Sequence, residues 1–416
     1  MNVREHKRLY RDIGIRVAEV RKRRGLNQEE LSEKAGVSAR LVSDVERGEP
    51  SRMETYHAIA RALDVETLYF VPSTPSAPDP MGLYSDESRE MVLMDLRKAI
   101  APPLGANSAR IDEPLDLSRV QKGVDAMGAA LLEDRYDFLH QIAPEIIRTA
   151  TYHSDALFGE QRYTALRLRA DALQLAARYL IQIREHDLAT IAIRDAYRDA
   201  AASGASSLAA IITTVETVIM LRQARFREIE DVCVSVADRL EPRHQSPSPD
   251  ELSAWGRPLL RAAAAAARNN RPKEADEYLA VACRAAEQMQ GDQMAVGYFS
   301  FGALTAGILG PEASLMAGQP QRALDQTEEL YGKSQGIGAI SLPAWHKHKL
   351  YVADALCMTG QYEKSTELLQ QLKLSAPQWF RNERLARDIV RKLLKSRKRT
   401  YLDTQRDLAD FLALEL

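Results

Sequence analysis

The chain has 416 residues, of which 45% are hydrophobic and 27% charged, enough for two or three domains with buried cores. A formal net charge of -2 excludes a globally basic coat, so any nucleic-acid binding must rest on a local surface. Cys233, Cys283 and Cys357 stand far apart with no metal-ligand spacing, so no metal or cofactor is expected. Apolar windows such as Leu259–Ala267 fall short of the roughly 20 residues a membrane span needs, and a cytoplasmic protein is expected.

The first predicted unit, residues 1–71, is dense in short helices. Within it, NQEELSEKAGVSARLVSDVERG (Asn27–Gly48) carries two helix signatures around a turn. Asn27 is an N-cap with Glu30 three residues on, the capping-box pattern. Helix two then runs to Ala35, and Gly36 permits a left-handed turn. Ser38 caps a third helix that closes near Arg47 and Gly48. Leu31, Ala35, Val37, Val42 and Val45 are the apolar anchors, which leaves Ala39, Arg40, Ser43, Asp44 and Arg47 facing outward. Residues 1–70 hold 14 Lys and Arg against 12 Asp and Glu, and RKRRG (Arg21–Gly25) concentrates four of the positive charges beside this unit.

Residues 72–112 read as a linker containing one helix. VPSTPSAPDPMG is rich in Pro and Ser, and a helix over Ser85–Ile100 ends at Pro102 and Pro103. From 113 to 400 the pattern is helical throughout, with no strand run of any length. Turn signals recur in REHDLATIA, RQARFREIE, RNNRPKEAD, MAGQPQRAL and MTGQYEKST. Taking Asp187, Phe226, Pro272, Pro320 and Tyr362 as equivalent points gives a period of about 40–48 residues, that of helical-hairpin repeats. Small residues three positions on (Ala275, Ala323, Ser365) let paired helices approach closely. Such pairs must stack to bury their apolar faces. Pro311 is expected to kink its helix. The final segment, 401–416, is an amphipathic helix expected to cap the stack or to make a dimer contact. The fold expected is all-α: a small N-terminal helical domain followed by an α-solenoid.

GLNQ, AGVS and VERG, spaced as they are here, closely resemble the Xre-type helix-turn-helix family that includes the lambdoid phage repressors. The resemblance extends over about Ile13–Phe70 and implies a five-helix, lambda-repressor-like domain reading double-stranded DNA. It implies that Asn27 and Gln28 contact or support contact with the DNA backbone. Ser38, Ala39, Arg40, Ser43, Asp44 and Arg47 would lie at the groove, with Arg40 and Asp44 at base edges and Arg52 beside the phosphates. Arg21 and Glu46 match a structural ion pair of that family. One such module touches little DNA, so a homodimer on an inverted-repeat operator is expected.

The repeats resemble tetratricopeptide repeats, and the combination is similar to actinobacterial Xre-type regulators and to quorum-sensing peptide receptors. That resemblance implies a signalling peptide or small molecule in the concave groove, with no enzymatic activity. The repeat register puts the first helix of each pair on that face and nominates Tyr179, Gln182, Thr214, Arg257, Thr305, Lys347 and Asp354 as ligand-facing. Two features depart from the class. Asn, which clamps peptide backbones in such receptors, is scarce beyond residue 110, and FGALT (Phe301–Thr305) stands where relatives read FGPTN. His346 and His348 are expected to be ordinary surface or groove residues, and Trp255, Trp345 and Trp379 inter-repeat core. RDIVRKLLKSRKR (Arg387–Arg399) is expected to be a solvated basic helix end. A DNA-binding adaptor whose repeats hold a protein partner is the alternative reading.

Overall fold

The computed structural model describes residues 3–63, 86–103, 114–316, 318–333, 342–395 and 402–414. The expected fifth helix of the N-terminal domain and the Pro- and Ser-rich linker lie outside the described residues.

Four helices make the N-terminal domain: α1 (Val3–Arg23), α2 (Gln28–Ala35), α3 (Ala39–Glu46) and α4 (Met53–Ala62). Asn27 and Glu30 form the reciprocal capping box that starts α2, and Gly36 ends it at φ 66°. Ser38 caps α3 through the Leu41 amide. Val17, Leu31, Val42, Val45, Ile59 and Leu63 form a core of its own for this domain. Helices α1 and α3 cross at Gly14, where a Cβ would sit 2.4 Å from the Val45 carbonyl oxygen. Only a residue without a side chain allows that crossing.

Helix α5 (Asp86–Ile100) packs through Leu96 and Ile100 onto the repeats. The repeats pair α6 (Leu117–Leu132) with α7 (Tyr136–Ala156), α8 (Gly159–Gln182) with α9 (His186–Ala202), and α10 (Ser206–Arg222) with α11 (Phe226–Leu240). Next, α12 (Pro249–Arg268) pairs with α13 (Pro272–Glu287). After a short α14 (Ala303–Gly307) come α15 (Leu309–Met316) with α16 (Pro320–Lys333), and α17 (Leu342–Met358) with α18 (Tyr362–Ser375). The chain finishes with α19 (Pro377–Asn382), α20 (Arg384–Lys395) and α21 (Leu402–Phe411). The inner layer is α6, α8, α10, α12, α15, α17 and α20, each touching the next. First helices of pairs therefore line the inside, as the repeat register predicts.

One turn recurs through the stack. Asp134, Arg184, Gly204, Ala224, Asn270, Gly318 and Gly360 all have positive φ, between 55° and 79°. Each stands two residues before a helix start, and the amide that follows it donates to the carbonyl five residues back, at 2.8–3.1 Å. This is the Schellman closure, which satisfies the last carbonyls of the outgoing helix. All the equivalent points nominated from sequence fall at or next to these helix starts. The small residues three positions on are buried, and Ser365 Oγ donates to the Ala353 carbonyl at 2.7 Å, holding α18 tight against α17.

Two expectations are corrected. The repeats are interrupted by a β-hairpin, β1 (Gln293–Ala295) with β2 (Phe299–Phe301), antiparallel with Met294 opposite Ser300. These strands are too short to give an alternation pattern, so periodicity misses them. Pro311 does not kink a long helix: it lies in the first turn of α15, where its missing N–H costs nothing, and the break falls at Ile308. The solenoid also folds back on itself. The Asp134 carboxylate accepts from the Trp379 amide at 2.8 Å, and Gln378 accepts from the Tyr136 amide at 3.0 Å and donates to Asp137 at 2.7 Å. Residues from α6–α10 and α17–α21 share one apolar core.

Of the left-handed turn residues, Ala224 bears a Cβ at φ 58°. Ala224→Gly is expected to raise stability by about 1 kcal/mol, read as a higher urea midpoint at unchanged slope. A neutral or lower midpoint would show that the turn carries no strain.

Candidate functional site

The outward face of α3 is held by a buried charge cluster beneath it. Arg21 reaches Glu46 with two bonds, Nε to Oε1 at 2.6 Å and Nη2 to Oε2 at 3.0 Å, and its Nη1 donates to the Leu26 carbonyl at 2.8 Å. Gln28 Nε2 donates to the same Glu46 carboxylate at 2.7 Å. Burial pushes the Glu46 carboxyl up, but the bonds from Arg21 and Gln28 outweigh it and hold it below the usual carboxylate range. The Arg21 guanidinium rises through its bond to Glu46. One carboxylate therefore ties α1, the start of α2 and the end of α3 together. The ion pair is as the sequence indicated, whereas Gln28 spends its side chain inside the cluster.

Above it, Arg40 and Arg47 are exposed, Ser38 and Asn27 are exposed, and Ala39, Ser43 and Asp44 are half-buried along the same helix. Asp44 is paired with Arg47, and Arg40 Nε lies 4.0 Å from it. An acid on the reading face is thus neutralised by its own helix neighbours. Sequence reasoning weighed only a partner on the DNA, although the spacing of Arg40, Asp44 and Arg47 carried the signal. Arg52, at the N-cap of α4, points its guanidinium to Met358 Sδ at 3.6 Å, on the solenoid. Two further α4 residues touch the repeats. His57 meets the Phe226 ring edge-on at 4.6 Å, and Arg61 donates to the Asn269 carbonyl. Burial, with Arg268 and Arg61 nearby, lowers His57 to about 4, so the histidine in this contact is neutral near pH 7.

Inside the solenoid the nominated groove residues separate. Gln182 and Lys347 converge on Glu383, at 3.3 and 2.6 Å. Arg257 donates to the Ser300 carbonyl at 2.7 Å. Thr305 is tied through its amide to Asp292 at 2.8 Å, and Asp354 pairs with Lys392 at 2.5 Å. Thr214 and Tyr179 are enclosed: Thr214 bonds the Ile211 carbonyl of its own helix, and Tyr179 packs against Tyr136. These two serve packing, because the groove face of α8 and α10 is rotated away from them. Further charges that sequence reasoning did not nominate face inward: Arg178, Arg261, and Arg268 paired with Glu312 at 2.5 Å. Long arginines on Ala-rich helices read as ordinary surface until the stacking is known. Among the described residues no group of three His, Cys, Asp or Glu is placed to hold a metal ion. Nor, among the described residues, is any helix long and apolar enough to cross a membrane.

His346 and His348 are buried, which corrects the surface reading. Trp345 and Trp379 are buried as expected, and Trp255 is partly so. Among the described residues neither ring nitrogen of His348 has a hydrogen-bond partner, and its ring lies between those of Tyr331 and Trp345, at 5.8 and 5.5 Å. In the basic segment near the C-terminus Arg391, Lys392 and Lys395 are exposed, as expected of a solvated helix end, and Arg387 is the exception among its described residues. Arg387 is buried with bonds to the Leu412 and Arg381 carbonyls. Helix α21 caps α18 and α20 through Leu408, Ala409 and Leu412.

Two outcomes follow for stability. Glu46→Ala, which strands Arg21 in the N-terminal core, is expected to lose about 3 kcal/mol from that domain, read by thermal melting. Burial lowers His348 to about 4. As pH falls from about 6.5 to about 4 the unfolded chain therefore takes up a proton that the native chain does not, and stability is lost across that window. His348→Phe removes this term, so the stability difference, variant minus wild type, is expected to rise as pH falls through it. A difference independent of pH would contradict the buried neutral state.

No curated protein matches the chain. Among solved structures, PlcR from Bacillus thuringiensis, in complex with the peptide PapR7 and DNA, is 12% identical with a TM-score of 0.32, over 88% of this chain and 97% of that one. The apo competence regulator ComR from Streptococcus vestibularis is 13% identical with a TM-score of 0.29, over 83% of this chain and 99% of its own. The helix-turn-helix family HTH_3 matches residues 17–70, the segment whose capping box, turn and charge cluster are described above. The N-terminal domain of this chain is an Xre-type helix-turn-helix domain.

Proposed function

We propose that the chain is a sequence-specific DNA-binding transcription regulator that works as a homodimer, and that its solenoid binds a signal, most simply a peptide, which alters operator binding. The observation that carries the DNA reading is α3 itself, a capped helix anchored from below by Glu46, with Arg40, Ser43 and Arg47 turned outward. A helix of this kind enters the major groove N-terminus first, and Arg40 is placed to donate to a guanine edge. The amides after the Asn27 cap suit a phosphate.

The contact of α4 with the repeats supports the regulatory half. His57 and Arg61 lie on the turns that open α11 and α13. His57 also feels Arg268, whose partner Glu312 lies on the inner layer. A ligand that changes the spacing of α12 and α15 would be felt at α4 and would move the reader. Coupling of this kind requires only that the ligand prefer one arrangement of the repeats.

Selection of DNA from a random pool by the full chain and by residues 1–82 tests the proposal. The full chain is expected to enrich an inverted repeat, and the fragment to bind it far more weakly. Arg40→Ala is expected to weaken specific binding by about tenfold or more with helicity unchanged, the loss of one bidentate base contact. Unchanged operator affinity in Arg40→Ala would remove α3 as the reader. No enrichment by either form would favour a protein-holding adaptor.

A further inference from the structure

The β-hairpin lies on the inner layer, against α8, α10 and α12. It is held in an unusual way for a structural insert. Arg178 on α8 and Arg257 on α12 both place their guanidinium over the Phe299 ring, at 3.9 and 4.1 Å from its centroid. The same two arginines donate to hairpin carbonyls: Arg178 to Gly297 at 3.3 Å and Tyr298 at 3.2 Å, and Arg257 to Ser300 at 2.7 Å. Gln174 adds a bond to Gly297 at 3.1 Å. Ring sockets are cut by glycines, since a Cβ on Gly128 would meet the Tyr298 ring at 2.4 Å and one on Gly256 would meet the Phe301 ring at 2.2 Å. The hairpin turn is strained at Tyr298, which carries a side chain at φ 58°.

Negative charge at the arginines is short, since the one carboxylate that raises Arg261, Glu312, is shared with Arg268. The two carboxylates deepest in the groove are already taken, Glu312 by Arg268 at 2.5 Å and Glu383 by Lys347 at 2.6 Å. Among the described residues Arg178 and Arg257 bond only neutral carbonyls and stack on a ring, and the Nε of Arg257 is buried with no partner. Arg261, one turn on from Arg257, makes neither a hydrogen bond nor an ion pair among the described residues. Burial lowers all three guanidiniums, and Arg261 lowers the other two further. Glu312 attracts Arg261 but is already paired with Arg268, so the three like charges are under-compensated, and an anion placed among them would relieve the repulsion.

We infer that Arg178, Arg257 and Arg261 form a binding site for the carboxylate of a peptide, and that the Gln293–Phe301 hairpin is an internal occupant that such a peptide displaces. This rests on the proposed ligand-responsive function and names the chemistry of the ligand. The peptide class follows from what the site already grips, a turn and a short strand held through their carbonyls with an aromatic side chain under two guanidiniums. The carboxylate follows from the under-compensated charge.

The test uses the full chain and three probes: synthetic heptapeptide pools with Glu or Asp fixed at one position, matched pools with Gln or Asn there, and inorganic phosphate. Melting temperature and operator affinity are read in the same samples. Without ligand, Arg261→Gln is expected to melt higher than wild type, because an unpaired charge is removed. Acidic pools are expected to raise the melting temperature of wild type more than amide pools do, and to lose at least about tenfold in affinity in Arg261→Gln. Phe299→Ala, which loosens the hairpin, is expected to bind acidic pools more tightly than wild type.

Overturning results are distinct. Equal response to acidic and amide pools, or an Arg261→Gln chain that is no more stable and binds acidic pools normally, would remove the site. Phosphate matching the acidic pools would replace the peptide with a small oxyanion, and weaker peptide binding in Phe299→Ala would remove the displacement. Preference for acidic pools with unchanged operator affinity would leave this site standing and remove the regulatory reading. Stabilisation by neutral pools alone, with a change in operator affinity, would do the reverse.

Discussion

Every helical hairpin of the solenoid depends on one backbone event, a single residue turning left-handed between two helices. It closes the carbonyls of the first helix and fixes where the second begins. Because the same geometry recurs from Asp134 to Gly360, successive pairs are set down at similar angles, and their first helices fall on one side. The inner layer, the charges it collects and the space the hairpin fills all follow from that repetition. A residue such as Arg184 or Ala224 in this conformation is tolerated because the stacked helices on either side leave the chain no alternative path.

The N-terminal domain rests on a different device. Its core is small, and orientation comes from Glu46 holding Arg21 and Gln28 at once. A hydrophobic contact permits sliding, whereas three directional bonds to one carboxylate do not. That rigidity lets a reader helix of eight residues present its outer side chains in fixed register. It also means that a push on α4 from the repeats moves the domain as a body without deforming it.

Much of this was legible in the residues. The Asn27 capping box, the Ser38 cap, the Gly36 turn and the apolar anchors specify the N-terminal helices by local chemistry, and that chemistry survives in the fold. The repeat points were legible because turn residues and small residues recur at a fixed distance. The groove was not. Which face of α8 or α10 looks inward depends on stacking angles that no single helix encodes, so Thr214 and Tyr179 were assigned to a surface they do not reach. Arg178 and Arg261 were passed over for the same reason. The hairpin escaped because three-residue strands have no period, and His348 because a histidine without polar partners reads as exposed until its aromatic neighbours are known.

The return of α19 onto the start of α7 gives the solenoid a mechanical property that an open stack lacks. In a linear array each repeat answers only to its neighbours, and the ends fray first. Here Trp379 and Gln378 fasten the last turn to Asp134 and Tyr136, about 240 residues earlier, so the array behaves as a clasped spring. Strain introduced at one repeat cannot escape by splaying a free end. It is shared around the loop until something yields, and the N-terminal domain, perched on the turns of the middle repeats, sits where that load is delivered.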